Sequence, residues 1–166
     1  MYEKFICPIC GYALLRENNS LKCGKGHCFD ISSSGYVNLL TKGGKKGHGD
    51  DKKMVRARRD FLSQGYYEHL KEGLKKVVNG VICKNAAILD SGCGEGYYTS
   101  GFEALLKENG GGEIYGIDVS KEALKPAAKL CGNVSFAVAS AYCLPFEKET
   151  FDIIISVFAP LAADEF

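Results

Sequence analysis

Apolar residues follow one pattern in the second half of the chain and another in the first. From residue 86 onward they gather in short stretches without regular alternation at 86–90, 113–117, 134–138 and 151–157, the last containing the unbroken run Ile153-Ile154-Ile155. Between the runs the spacing changes to a helical three-and-four repeat, as at Phe102, Leu105 and Leu106. Runs without alternation, separated by helical stretches, predict a parallel α/β sheet of about four strands covered on both faces. Ser120 is placed to cap the helix after the second strand. Pro126 inside that helix predicts a late start or a kink, because an interior proline costs about 3 kcal/mol. Nearer the middle, Met54, Val55, Phe61 and Leu62 predict an amphipathic helix ending near Gly65. Leu70, Leu74, Val77 and Val78 predict a second, stopped by Asn79-Gly80.

The first 40 residues show neither pattern. Cys7-Pro8-Ile9-Cys10-Gly11 is followed by Cys23 and then by Gly24-Lys25-Gly26-His27-Cys28. Two thiolates three positions apart on a tight turn can chelate one ion, and a second such turn completes four N/S ligands, the set structural zinc prefers. A hairpin around Asn18-Asn19 joins the two turns. Spacing alone leaves the fourth ligand open between His27 and Cys28. A segment this short has too little core to fold without the metal. From Thr41 to Asp51 the chain is Lys, Gly, His and Asp and reads as a flexible linker. The resulting division is a zinc module at 1–40, a basic linker with connecting helices at 41–80, and the α/β sheet at 81–166.

The 166 residues are 46% hydrophobic and 25% charged, which suits one core with a small module attached. No apolar run nears the ~20 residues that span a bilayer, and the opening residues leave no room for a signal peptide, so the expectation is a cytoplasmic protein without membrane contact. The net charge of +1 hides a split. Residues 1–59 carry 12 Lys and Arg against 5 acids, and residues 60–166 carry 9 against 15. A basic front half points to a polyanionic partner. Its candidate contacts are Lys45, Lys46, Lys52, Lys53, Arg56, Arg58 and Arg59. Among the remaining cysteines, Cys83, Cys131 and Cys143 are expected to fill the core as small hydrophobes.

The run at 86–90 leads straight into Ser91-Gly92-Cys93-Gly94-Glu95-Gly96. Glycines there let a ligand approach the backbone, and Asp118 at the end of the second strand can hold a ribose diol. Asp90 stands two residues ahead of the first glycine. It would repel a pyrophosphate but suits a cationic amino-acid tail, which favours S-adenosylmethionine (SAM) over a dinucleotide.

Asp90-x-Gly92-Cys93-Gly94-Glu95-Gly96-Tyr97-Tyr98 resembles the first motif of class I SAM-dependent methyltransferases, whose fold is Rossmann-like. With the cysteine cluster, Gly35 to Leu40, Ala57-Arg58-Arg59, Gly116 to Lys121, Leu144-Pro145-Phe146 and Ala159-Pro160, the chain resembles the RlmA-type 23S rRNA guanine-N1 methyltransferases. The resemblance implies zinc on Cys7, Cys10, Cys23 and His27, leaving Cys28 spare. It implies SAM against Tyr67, Gly94, Glu95 and Asp118, with adenine beside Ser140-Ala141, and Asp90, Gly92 and Gly96 of the loop are likewise expected to bind the cofactor. It further implies a hairpin of 23S rRNA as partner, a homodimer, and target-base placement by Phe158 and Pro160, with no residue identified as proton acceptor. Such folds usually continue through three more strands, so the fourth strand is expected to show an open apolar edge. Two other readings are a small-molecule methyltransferase and a non-catalytic zinc and RNA-binding remnant.

Overall fold

The structure is a computed structural model that describes residues 2–41 and 49–166. It opens with a three-stranded antiparallel sheet: β1 (Leu14–Glu17), β2 (Ser20–Cys23) and β3 (Cys28–Asp30). The turn between β1 and β2 is Asn18-Asn19, with Asn18 at φ 54°, a left-handed conformation that asparagine tolerates better than most residues. Leu14 and Leu21 are fully buried beneath this small sheet.

A second sheet contains β4 (Tyr36–Asn38), β5 (Ala86–Ser91), β6 (Gly112–Asp118), β7 (Val134–Val138) and β8 (Ile153–Ile155) in the order β4-β7-β6-β5-β8, all parallel. It thus has five strands, one more than the sequence led us to expect. The extra strand comes from residues that the sequence assigned to the zinc module. β4 is only three residues long and buries only Val37 completely. It is held by its register with Phe136, Ala137 and Val138 and by the Leu39 N–H, which donates to Val138 O at 2.9 Å. Among the described residues β8 pairs with β5 alone, so its other side is an edge there, as expected.

Helix α1 (Lys52–Leu62) starts at Asp51, whose carboxylate accepts from Lys53 and Met54 N–H. α2 (Glu68–Asn79) stops at Gly80, as the sequence indicates. Of its apolar residues Val78 is buried but Val77 is 68% exposed, because Val77 lies on the solvent side of the stripe through Leu74 and Val78. α3 (Thr99–Glu108) turns Phe102, Leu105 and Leu106 inward. α4 (Lys121–Leu130) begins without delay and runs through Pro126, contrary to the expected late start. Ser120 Oγ accepts from Ala123 N–H at 3.3 Å. The bond that Pro126 cannot donate would have gone to Glu122, in the helix's first turn.

One face of the large sheet packs on α3 and α4, with Ile88, Ile114 and Phe136 against Phe102, Leu124 and Ala127. The other carries the small sheet. Phe5 is fully buried there, 5.3 Å edge-on from the Tyr115 ring and 5.0 Å from the stacked ring of Phe146. Cys93 and Cys131 are buried, but Cys83 and Cys143 are exposed and do not join the core. Both lie on connections, between α2 and β5 and between β7 and β8, where no element covers them.

Candidate functional site

The sheet's carboxyl ends open into a cleft of about 440 Å³, where parallel α/β sheets place their ligands. Its floor is the loop after β5. Gly92 and Cys93 N–H donate to Ile117 O at 2.9 and 3.0 Å, drawing the loop over the end of β6. Gly92 has φ +80°, and a Cβ there would come 2.3 Å from Ala159 Cβ, so only glycine lets the segment after β8 lie on the loop. Asp118 is held from two sides: its Oδ2 accepts from Gly94 N–H at 3.0 Å and its Oδ1 from Ser120 N–H at 2.7 Å. Burial pushes the pKa of Asp118 up, and these two bonds pull it back.

Of the residues expected to hold a cofactor, Tyr67, Gly92, Gly94, Glu95, Asp118, Ser140 and Ala141 line the cleft. Asp90 and Gly96 do not. Asp90 lies beneath the loop, 2% exposed, its Oδ2 accepting from Thr99 Oγ1 at 2.6 Å. Burial raises its pKa to about 6. Gly96 packs on α4, where an added Cβ would sit 3.2 Å from Ala127. Both therefore shape the loop from below. Glu95 is 5% exposed, and among the described residues neither of its carboxylate oxygens has a hydrogen-bond partner. Phe158 and Pro160 line the outer wall; Phe158 is 78% exposed and 5.7 Å edge-on from Tyr67.

The sequence reading missed Asp50 and Tyr98, which also line the cleft. Asp50 belongs to a stretch that reads as linker, and nothing in its neighbours marks it. Tyr98 was visible as part of the motif but had no role assigned. Its buried hydroxyl has no hydrogen-bond partner among the described residues.

Outside the cleft lining, Cys7, Cys10, Cys23 and His27 bring their ligand atoms within 4.8 Å of one another. His27 Nδ1 lies 3.5 Å from Cys7 Sγ and 3.4 Å from Cys23 Sγ, and Cys10 Sγ lies 3.6 Å from Cys23 Sγ. Tetrahedral zinc with bonds of about 2.0–2.3 Å separates its ligands by roughly 3.5–3.8 Å, so the set fits zinc with every position filled. The structure brings His27 into the cluster and leaves Cys28 exposed on β3. Desolvation pushes the Cys23 thiol up, but N–H groups of Lys25 and His27 and the neighbouring Cys10 and His27 side chains outweigh it, bringing it to about 6. A thiolate is the form zinc binds.

Lys52, Lys53, Arg56 and Arg59 stand exposed along α1, with Arg56 paired to Asp60 at 3.7 Å. Arg58 differs from them: it lines the cleft and pairs with Asp50. Lys45 and Lys46 lie outside the described residues.

The family model described as RlmA, N-terminal zinc ribbon, matches residues 5–47, and the methyltransferase domain model matches 88–165. The chain is 34% identical over 99% of its length to a Bacillus subtilis protein named a putative 23S rRNA (guanine-N1)-methyltransferase, covering 60% of it. It is 33% identical over 93% of its length to the Streptomyces fradiae 23S rRNA (guanine(748)-N1)-methyltransferase, covering 55% of that protein. The chain thus spans between half and two thirds of these relatives. A putative SAM-dependent methyltransferase of Methanococcus maripaludis shares the fold, with a TM-score of 0.52 at 20% identity over 68% of this chain and 53% of that one. The chain thus matches the RlmA N-terminal model and the methyltransferase domain model in two successive stretches, and along nearly its whole length it is similar to proteins named as 23S rRNA (guanine-N1)-methyltransferases.

Proposed function

We propose that the protein binds SAM in the cleft and transfers its methyl group to N1 of a guanine in a hairpin loop of 23S rRNA. One observation carries this reading: the glycine-floored cleft and the zinc ribbon are joined in one chain that resembles the named rRNA methyltransferases along nearly its whole length. The ribbon at 1–40 and the connector at 41–80 serve as the RNA-holding part, and 81–166 holds the cofactor. Loop bases can be splayed into a pocket, whereas guanine N1 is sealed inside a duplex. Adenine would lie beside Ser140 and Ala141, the ribose diol on Asp118, and the ammonium near Glu95. SAM held there would supply an activated methyl group: N1 would form a bond to the methyl carbon as the carbon–sulfur bond broke with its electron pair going to sulfur, and the N1 proton would pass to water. Positioning supplies the rate, because the sulfonium is already an activated leaving group. Phe158 and Pro160 would place the base against the methyl. The cytoplasm, where ribosomal RNA is, is the expected workplace; among the described residues no helix is long and apolar enough to cross a membrane.

Calorimetric titration of SAM into zinc-loaded protein tests the cofactor half. Binding in the micromolar range, weakened at least about tenfold by Asp118→Ala, is the expected result. No heat from folded protein would sink it. Labelled methyl transfer to undermethylated 23S rRNA, with none to small-molecule acceptors, tests the substrate half.

A further inference from the structure

Arg58 is the single cation among the described residues lining the cleft, and the other charged residues there are Asp50, Glu95 and Asp118. The amino-acid end of SAM carries both an ammonium and a carboxylate. Three carboxylates would repel its carboxylate unless a cation stood among them. We infer that Arg58 is a specificity-determining residue that grips the α-carboxylate of the cofactor, and that Asp50 is the residue that positions it. The inference rests on the SAM reading above.

The geometry supports this role in three ways. Arg58 Nη1 lies 3.7 Å from where a Cβ on Gly94 would be, so the guanidinium lies over the glycine loop. The same nitrogen is 3.8 Å from Oε2 of Glu95, whose carboxylate is buried and accepts no hydrogen bond from the described residues. A cation and an anion thus stand side by side, complementary to a ligand that bears ammonium and carboxylate on one carbon. Arg58 also stays supplied with donors: Nη2 is paired with Asp50, and a planar guanidinium keeps further N–H groups for a bidentate partner.

Asp50 is fixed independently of Arg58. Its carbonyl accepts from Ser120 Oγ at 2.6 Å, and the neighbouring Gly49 packs so closely on Ser120 that an added Cβ would meet its Cβ at 2.8 Å. Ser120 N–H in turn donates to Asp118. One contact chain therefore runs from the acid at the end of β6 through Ser120 and Asp50 to Arg58. It docks the start of α1 on the cleft and holds Arg58 above the loop.

The test compares SAM with decarboxylated SAM, which keeps the nucleoside, the sulfonium and the ammonium but lacks the carboxylate. Both are titrated into zinc-loaded wild type, Arg58→Gln, Arg58→Lys and Asp50→Asn. Wild type is expected to prefer SAM by at least about tenfold, and Arg58→Gln to shrink that preference to within about twofold. Lysine should restore part of it as a point charge without the fork, and Asp50→Asn should reduce it while leaving the arginine in place. A merely structural Arg58 would weaken both ligands together and leave their ratio unchanged, and that result overturns the assignment. Equal affinity of wild type for the two ligands overturns it as well. A wild type that binds neither removes the SAM reading itself, a separate and distinguishable failure.

Discussion

Asp90 holds its proton far longer than an ordinary carboxyl group, because burial raises its pKa from near 3.8 to about 6 and the single bond from Thr99 only partly offsets this. In the unfolded chain the group ionises near the lower value, so between the two the folded state binds the extra proton. Its contribution to stability is therefore fullest at low pH and is lost as pH rises through the folded value, leaving a burden of about 3 kcal/mol at neutral pH. Asp90→Asn keeps a partner for Thr99 and cannot ionise. It should be more stable than wild type by up to that amount near pH 7.5, with the gain falling by about half at pH 5. Urea denaturation of both proteins at the two pH values checks this, and a gain independent of pH would refute it. Gly92 supports a second prediction. Alanine there has φ +80° and a Cβ 2.3 Å from Ala159, whereas at Gly94 the nearest atom is the mobile end of Arg58 at 3.7 Å. Gly92→Ala should cost about 1–3 kcal/mol and weaken SAM at least about tenfold, with Gly94→Ala milder in both. The glycines were legible in the sequence because backbone of this kind admits little else. Asp50 was not legible, since its role depends on Ser120, 70 positions away.

Helix α1 has no acid in its first turn; Lys52 and Lys53 stand there instead, at the end where the helix dipole disfavours cations. Asp51 satisfies the N–H groups as cap, yet the two lysines still work against the helix locally. Such a conflict is expected where charge serves a partner more than the fold. Reversing both, Lys52→Glu with Lys53→Glu, should stabilise the protein by up to about 1 kcal/mol while weakening RNA binding and lowering its log–log salt slope by about 1–2. SAM affinity should not move, because neither lysine lines the cleft. Salt-dependent filter binding and thermal denaturation read the two effects. If RNA affinity is unchanged, the basic face is only solvated surface. At this scale the fold was largely legible. The buried strands β5, β6 and β7 declare themselves by apolar stretches without regular alternation, and α1 and α2 by their stripes. β4 does not, because three residues carry no period, and its partner β7 lies about 100 positions further along the chain. Pairing at that range is decided by the assembled sheet, not by local pattern.

The zinc ribbon and the large sheet share a core, and this gives the whole molecule a property that neither part has alone. Phe5, just ahead of the first zinc ligand, stacks on Phe146 and meets Tyr115 edge-on; Leu14 and Leu21 from the small sheet belong to the same cluster as Leu89 and Ile117 from the large one. Backbone bonds reinforce the joint, with Ile6 N–H donating to Pro145 O at 2.9 Å. A tethered module would melt by itself when its metal is removed and leave the methyltransferase face untouched. Here, release of Cys7 and Cys10 frees the segment that holds Phe5, so the sheet loses the cover on one side. Chelation should therefore lower the midpoint of one cooperative thermal transition and weaken SAM binding, although none of the four clustered residues lines the cleft. Phe5→Ala in zinc-loaded protein should reproduce the destabilisation, by about 3–5 kcal/mol, without loss of metal. Calorimetric scanning with a zinc indicator distinguishes the outcomes. Two separate transitions, with the larger unmoved by chelation, would mean that the ribbon only rests on the sheet; a single shifted one means that the metal stabilises the fold that shapes the cleft.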